Sequence, residues 1–347
     1  MTAVLGAVAA PRSEGERLEE MVYRASAAAL QFAGLTRDDV DSVTLAASDE
    51  RDGRSISSML TAAPAGGLGK EVTKVTDGSL HALSLAVAKI LAGCSEVGLV
   101  VSWDIATEAD VDAVATSALE PFVERPTGVI DPIATALLAA QYLARHDVDP
   151  AKLDVRAWRK AQLVGAAAGS SDWVSWPLRE SHLAPERDGA AAVVVASADF
   201  VAARGLRPVA DIEGVGWATD TYPLAERTWP LGAALKTATD EALRRAGATL
   251  ADLDSFELDD ANVFAECVAA EGVGLAPEGE GLSILTGTDP LRRRAEDGFA
   301  GVPPTCSGLW RLAQVCAAGP ARSLVHEAVG RAAQGHAVVV VRSAGPA

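Results

Sequence analysis

Apolar residues in this chain gather in short runs separated by segments of helical period. Residues 2–9, 97–102, 188–195, 208–216 and 337–343 read as strands. The runs at 97–102 and 337–341 are continuously apolar, the pattern of strands covered on both faces. Amphipathic spacing predicts helices over 79–92, 133–146 and 150–168, and helical material over 307–333. The Trp and Pro residues of 171–177 read as loop.

The pattern repeats. Residues 29–45 read ALQFAGLTRDDVDSVTL and residues 242–258 read ALRRAGATLADLDSFEL, an offset of 213. In each copy a helix ends at a glycine (Gly34, Gly247) suited to the left-handed position after a helix. A Thr and two Asp follow (Thr36, Asp39, Asp41; Thr249, Asp252, Asp254), as in a capped turn, and a strand then begins. Two similar halves of alternating strand and helix predict a duplicated α/β fold, residues 1–207 and 208–347, with sheets packed around shared central helices. The stretch 103–186 is an insertion on the first half, because no Gly/Ser- or Pro-rich linker bounds it.

Composition narrows the function. In 347 residues, 30 Lys and Arg face 47 Asp and Glu, a net charge of -17. Such a surface repels phosphate backbones and argues against a nucleic-acid role, while leaving room for a CoA or nucleotide pocket. Four scattered cysteines without a CxxC pair support neither a disulfide framework nor a zinc site. No run reaches the ~20 apolar residues of a membrane helix, so no membrane role and a cytoplasmic location are expected.

Four stretches carry a resemblance to the thiolase superfamily, in particular its sterol-carrier and lipid-transfer branch. They are the segment 29–45, Val75-Thr76-Asp77-Gly78-Ser79-Leu80-His81-Ala82-Leu83, the run from Pro177-Leu178 to Arg187-Asp188-Gly189-Ala190-Ala191-Ala192, and the repeat at 242–262. The resemblance implies a five-layer αβαβα sandwich, CoA or acyl-CoA as ligand with no bound cofactor, and pairing as a homodimer or heterodimer with a thiolase-like subunit. The edge strand near 71–75 is the expected contact. A small zinc-ribbon/OB-fold partner is a further implication.

Carried over residue by residue, the family's catalytic groups are missing. The nucleophilic cysteine position falls on Thr76. The Asn-Glu-Ala-Phe stretch falls on Asp259-Asp260-Ala261-Asn262, the histidine of the Gly-His-Pro turn on Val302, and the second cysteine near Val329. A threonine hydroxyl is not ionised near neutrality, and valine transfers no proton.

Other residues are candidates for a rebuilt site, each with a plainer reading. Thr76 and Asp77 suit a helix start as a cap and a dipole partner. His81 lies one turn from Asp77 and pairs with it as a base or as a structural contact. Cys306, near the opening of the second central helix, is a reactive thiol by position or a small core residue. Asp259 and Asp260 are an acid/base pair or a solvated strand end. The run Gly66–Lys70 fails the phosphate-loop pattern, and Arg292, Arg293 and Arg294 form a CoA-phosphate patch or a solvated charge run. Two functions follow: a catalytically degenerate thiolase-like subunit that binds acyl-CoA beside a catalytic partner, or an enzyme performing acyl transfer or retro-aldol/retro-Claisen cleavage with a rebuilt site.

Overall fold

The computed structural model describes residues 2–76, 78–105, 108–163, 170–287, 301–319 and 321–344. The first half runs β1 (Thr2–Pro11), α1 (Leu18–Phe32), β2 (Ser42–Ala46), β3 (Glu71–Val75), α2 (Ser79–Leu91) and β4 (Val97–Asp104). The insertion contributes α3 (Asp131–His146) and α4 (Ala151–Leu163), and the chain returns to the sheet at β5 (Gly189–Ser197). The second half gives β6 (Ala210–Thr219), α5 (Ala233–Ala246), β7 (Ser255–Glu257), α6 (Val263–Val273), α7 (Ser307–Ala318), β8 (Arg322–Val329) and β9 (Gly335–Ser343).

Nine strands are hydrogen-bonded in the order β3-β2-β4-β5-β1-β6-β9-β8-β7. Each half pairs its strands alike. β2–β4 and β7–β8 are parallel, whereas β4–β5, β5–β1, β8–β9 and β9–β6 are antiparallel. The halves join where Thr2–Val4 of β1 pairs with residues 210–212 of β6. β3 pairs only with β2 and forms one edge; among the described residues the second half has no strand in its place.

Three apolar clusters define the layers. One packs α1 on the outer side of the first half, with Met21, Ala25 and Ala29 against Leu45, Val101 and Val194. A second packs α5, α6 and α3 on the outer side of the second half. Between them Leu80, Leu83, Val87, Leu309 and Leu312 of α2 and α7 meet strands of both halves. α2 buries apolar residues around most of its circumference, which only a central helix can do. The arrangement is the expected αβαβα sandwich.

The duplication extends to single hydrogen bonds. Thr36 N and Oγ1 donate to Asp39 Oδ2 at 2.9 and 2.8 Å, and Thr249 N and Oγ1 donate to Asp252 Oδ2 at 2.8 Å each. Ser42 Oγ meets Ser95 Oγ at 3.1 Å, and Ser255 Oγ meets Ser323 Oγ at 2.7 Å. Gly6 and Gly214 each press so closely on the outer helix that a Cβ would strike the carbonyl of Ala29 or Ala242, and those two alanines are repeat equivalents.

Two sequence expectations change, at 307–333 and at 171–177, and a third is followed over the described residues. The helix expected over 307–333 ends at Ala318, where Gly319 turns left-handed (φ 68°), and β8 follows. Strand period is invisible there because Arg322, Ser323, His326 and Glu327 are all buried, so polarity does not alternate with exposure. The helix expected over 150–168 is observed to Leu163, and 164–169 lie outside the described residues. Within 171–177, Trp173–Ser175 forms a short strand against Leu178–Arg179.

Candidate functional site

The two central helices begin side by side, and one carboxylate closes both. α2 is preceded by Gly78 at its N-cap, which has no side chain to satisfy the first amides. Glu327 of β8 does so from across the layer. Its Oε1 accepts from Ser79 N (3.0 Å), Ser79 Oγ (2.7 Å) and Gly308 N at the start of α7 (3.0 Å), and its Oε2 from Leu80 N (2.6 Å). Ser307 Oγ adds a fifth donor at 3.4 Å. A Cβ on Gly78 or Gly308 would collide with this carboxylate, so both positions must be glycine. Glu327 is fully buried, and burial raises it to about 7 against the pull of its donors. Converging helix starts form an anion site by their amides and dipoles; here the chain's own side chain fills it.

The residues singled out from the sequence are dispersed around this centre. Thr76 is exposed and lies ahead of Gly78, so it is neither a helix cap nor a buried group. Asp77 lies outside the described residues, as do Arg292, Arg293 and Arg294. His81 is half-buried in the first turn of α2. Val329 packs on Gly78 at the start of α2. Val302 is half-buried, between a Gly301 set against Pro185 and Arg187 and a Pro303 set against Gly189. Cys306 is fully buried with Sγ 3.9 Å from the Gly189 carbonyl, and burial pushes its thiol well above the ordinary value, so it stays protonated.

Asp259 and Asp260 are not a solvated strand end: they are 5 % and 1 % exposed. Arg311 of α7 donates to Asp259 at 3.3 Å and to Asp260 at 2.6 Å, and Lys160 of α4 donates to Asp260 at 2.6 Å and to Glu266 at 3.3 Å. Arg156 completes the chain with two bonds to Glu266. Each carboxylate faces a cation, so the pair is a structural relay of ions between insertion and core.

The opposite face of β8 looks into a cavity of about 110 Å³ between α3, α6 and the β8–β9 hairpin. Its floor holds two histidines that the sequence reading missed. The amide of Asp259 donates to His326 Nδ1 at 3.3 Å, which leaves the proton on Nε2, 3.0 Å from His336 Nδ1. His336 is therefore the acceptor, with its own proton on Nε2. Burial lowers His336 to about 4, so it is neutral at pH 7. Misreading β8 as helix concealed Glu327 and His326, and with His326 the pairing to His336 at the start of β9. Among the described residues no three ligating side chains gather to hold a metal ion, and no helix is long and apolar enough to cross a membrane.

No family model and no curated protein matches the sequence. Solved structures do match the fold. The "Ltp2-ChsH2(DUF35) aldolase" superposes with a TM-score of 0.79 at 18% identity, over 99% of this chain and 97% of that one. A monomeric SCP2-thiolase-like protein type 1 from Mycobacterium smegmatis gives 0.73 at 18% identity, over 100% of this chain and 78% of that one. The Acat5 thiolase from Ascaris suum in complex with coenzyme A gives 0.72 at 13% identity, over 99% of each. With the paired halves, the central helices and these superpositions together, the chain has a thiolase-like fold.

Proposed function

We propose that this protein is a catalytically degenerate thiolase-fold subunit that binds acyl-CoA and serves beside a catalytic partner. The observation that carries the reading is Glu327: the helix starts where a thiolase needs a thiolate and an oxyanion site are occupied by five donors to an internal carboxylate. Thr76, Val302 and Val329 offer neither nucleophile nor base. The competing reading, acyl transfer or retro-aldol/retro-Claisen cleavage by residues at the helix starts, has less support, because Cys306 is held as a thiol and Asp259 and Asp260 are ion-paired. CoA as ligand is supported by the neighbour crystallised with it, and a small second subunit by the neighbour named for two components.

Pairing through β3 is part of the proposal. This strand is an edge that needs a cover, and the segment leading to it exposes Ile56, Met59 and Leu68. One neighbour is titled monomeric, so the fold alone does not decide. Light scattering at micromolar concentration tests it, with a clean monomer as the contrary result.

Acetoacetyl-CoA thiolysis and condensation by the purified chain test the degenerate reading, with no turnover expected while CoA binding is detected by calorimetry. Turnover lost in Cys306→Ala or His81→Ala would establish the rebuilt site instead.

A further inference from the structure

The cavity between α3, α6 and the β8–β9 hairpin has an apolar side made by Leu138 of α3 and Phe264 and Val268 of α6. Charge does not select its occupant. Asp131 and Asp220 line it and act as counter-charges to Arg227, and Asp259 is paired with Arg311. An anion entering the cavity meets these carboxylates, and a cation meets carboxylates already matched by guanidinium groups.

Three uncharged side chains of the lining stand apart from this balance. His336, Thr135 and Asn262 are 3 %, 6 % and 8 % exposed. His336 accepts from His326 through Nδ1, so its proton sits on Nε2, and Asn262 accepts from the Ala265 amide through Oδ1, which leaves its NH2 group. Among the described residues His336 Nε2, Asn262 Nδ2 and Thr135 Oγ1 have no hydrogen-bond partner, and none of the three atoms is sealed in protein. Each is a donor that keeps contact with open space, and the place of these residues in the lining makes the cavity that space. A buried donor without an acceptor costs about 1–3 kcal/mol, so an acceptor is what the lining lacks. The volume of about 110 Å³ is several times what one water needs, and it is of the order that admits a six-carbon ring in an engineered apolar cavity (~150 Å³).

We infer that this cavity binds a small uncharged carbonyl compound, its oxygen accepting from His336 Nε2 and its hydrocarbon against Leu138, Phe264 and Val268. Thr135 and Asn262 offer further donors. The site lies on the face of β8 opposite Glu327 and requires no thioester, so it is independent of the acyl-CoA reading.

Carbon-13 NMR titration of the full chain with butan-2-one labelled at its carbonyl tests the assignment. Butanoate and sec-butylammonium supply hydrocarbons of the same size with a negative or a positive charge. The ketone is expected to bind one to one, at least about tenfold more tightly than either ion. Its carbonyl resonance, extrapolated to saturation, should lie downfield of the value in His336→Phe, because an accepted N–H bond deshields that carbon. His336→Phe should also weaken binding by about threefold to tenfold, the loss of one hydrogen bond. Ala265→Trp fills the apolar side from a half-buried position, keeps His336, and should weaken binding at least about tenfold with an unchanged circular dichroism spectrum. If His336→Phe does not fold, Ala265→Trp and the two ions still decide. No ketone binding up to about 50 mM, which would leave the cavity to water, equal binding of either ion, or binding unmoved in Ala265→Trp would overturn the assignment. A bound carbonyl resonance unchanged by His336→Phe would overturn it as well.

Discussion

Glu327 and His326 are consecutive on β8 and face opposite worlds. Glu327 points to the central helices, where five donors converge on an acid that burial pushes towards neutrality. His326 points outward to His336, which burial keeps uncharged. One face binds an anion that belongs to the chain; the other sets a neutral His336 beside a cavity. The strand's period of two lets adjacent residues sit in unrelated electrostatic settings, separated by the sheet itself.

The sharpest way to break this comparison is to remove the carboxylate. Glu327→Ala orphans two helix starts at once and should cost about 3–5 kcal/mol. Glu327→Gln keeps one acceptor but turns an amide against Leu80 N–H, and should cost about 1–3 kcal/mol. Urea unfolding measures both, and losses under about 1 kcal/mol would remove Glu327 from the centre of the fold.

Titration sharpens the contrast. Glu327 has a raised value in the folded chain, about 7, so its contribution drains as pH rises from about 4.5 to 7. His336 is lowered to about 4, so its contribution drains as pH falls from about 6.5 to 4. Each effect is on the order of 3 kcal/mol at full extent. Relative to the wild type, Glu327→Gln should gain stability as pH rises through the first window, and His336→Phe should gain as pH falls through the second. Unfolding midpoints between pH 4 and 8 check this; parallel curves for all three proteins would contradict it.

The duplicated turns supply a smaller test. Asp39→Ala and Asp252→Ala each remove a pair of bonds from the preceding threonine, Asp39→Ala also an ion pair with Arg204, and each should lower the midpoint of thermal or urea unfolding slightly. Measured in an Arg204→Ala background, which removes the extra ion pair of Asp39, unequal losses would show that the halves no longer share their scaffold energetics. The smallest effect is expected from Thr76→Cys. The new thiol should be alkylated by iodoacetamide at the rate of an ordinary exposed cysteine, without thiolysis, since the helix starts are already committed to Glu327.

The scaffold was legible because it is written in local rules. Gly34 and Gly247 end helices, Thr36 and Thr249 donate to Asp39 and Asp252, and apolar runs such as 190–196 can only be buried strands. The centre was not, because its chemistry depends on residues 248 positions apart, Ser79 and Glu327. Nothing near Glu327 in sequence signals that it caps a helix in the other half. The aspartates 259 and 260 misled for the same reason: their cations, Lys160 and Arg311, come from the insertion and from α7.

The placement of β1 has a consequence for how the protein is made. This first strand lies between β5 and β6, with Thr2 opposite Ser197 on one side and Ile212 on the other. At about 5–20 residues per second, a ribosome needs on the order of 10–40 s to deliver those partners. Throughout that time a ten-residue, largely apolar strand emerges without either neighbour. The first-half sheet cannot close on β1 during early synthesis, and this strand keeps two unpaired edges until both flanking strands have left the tunnel.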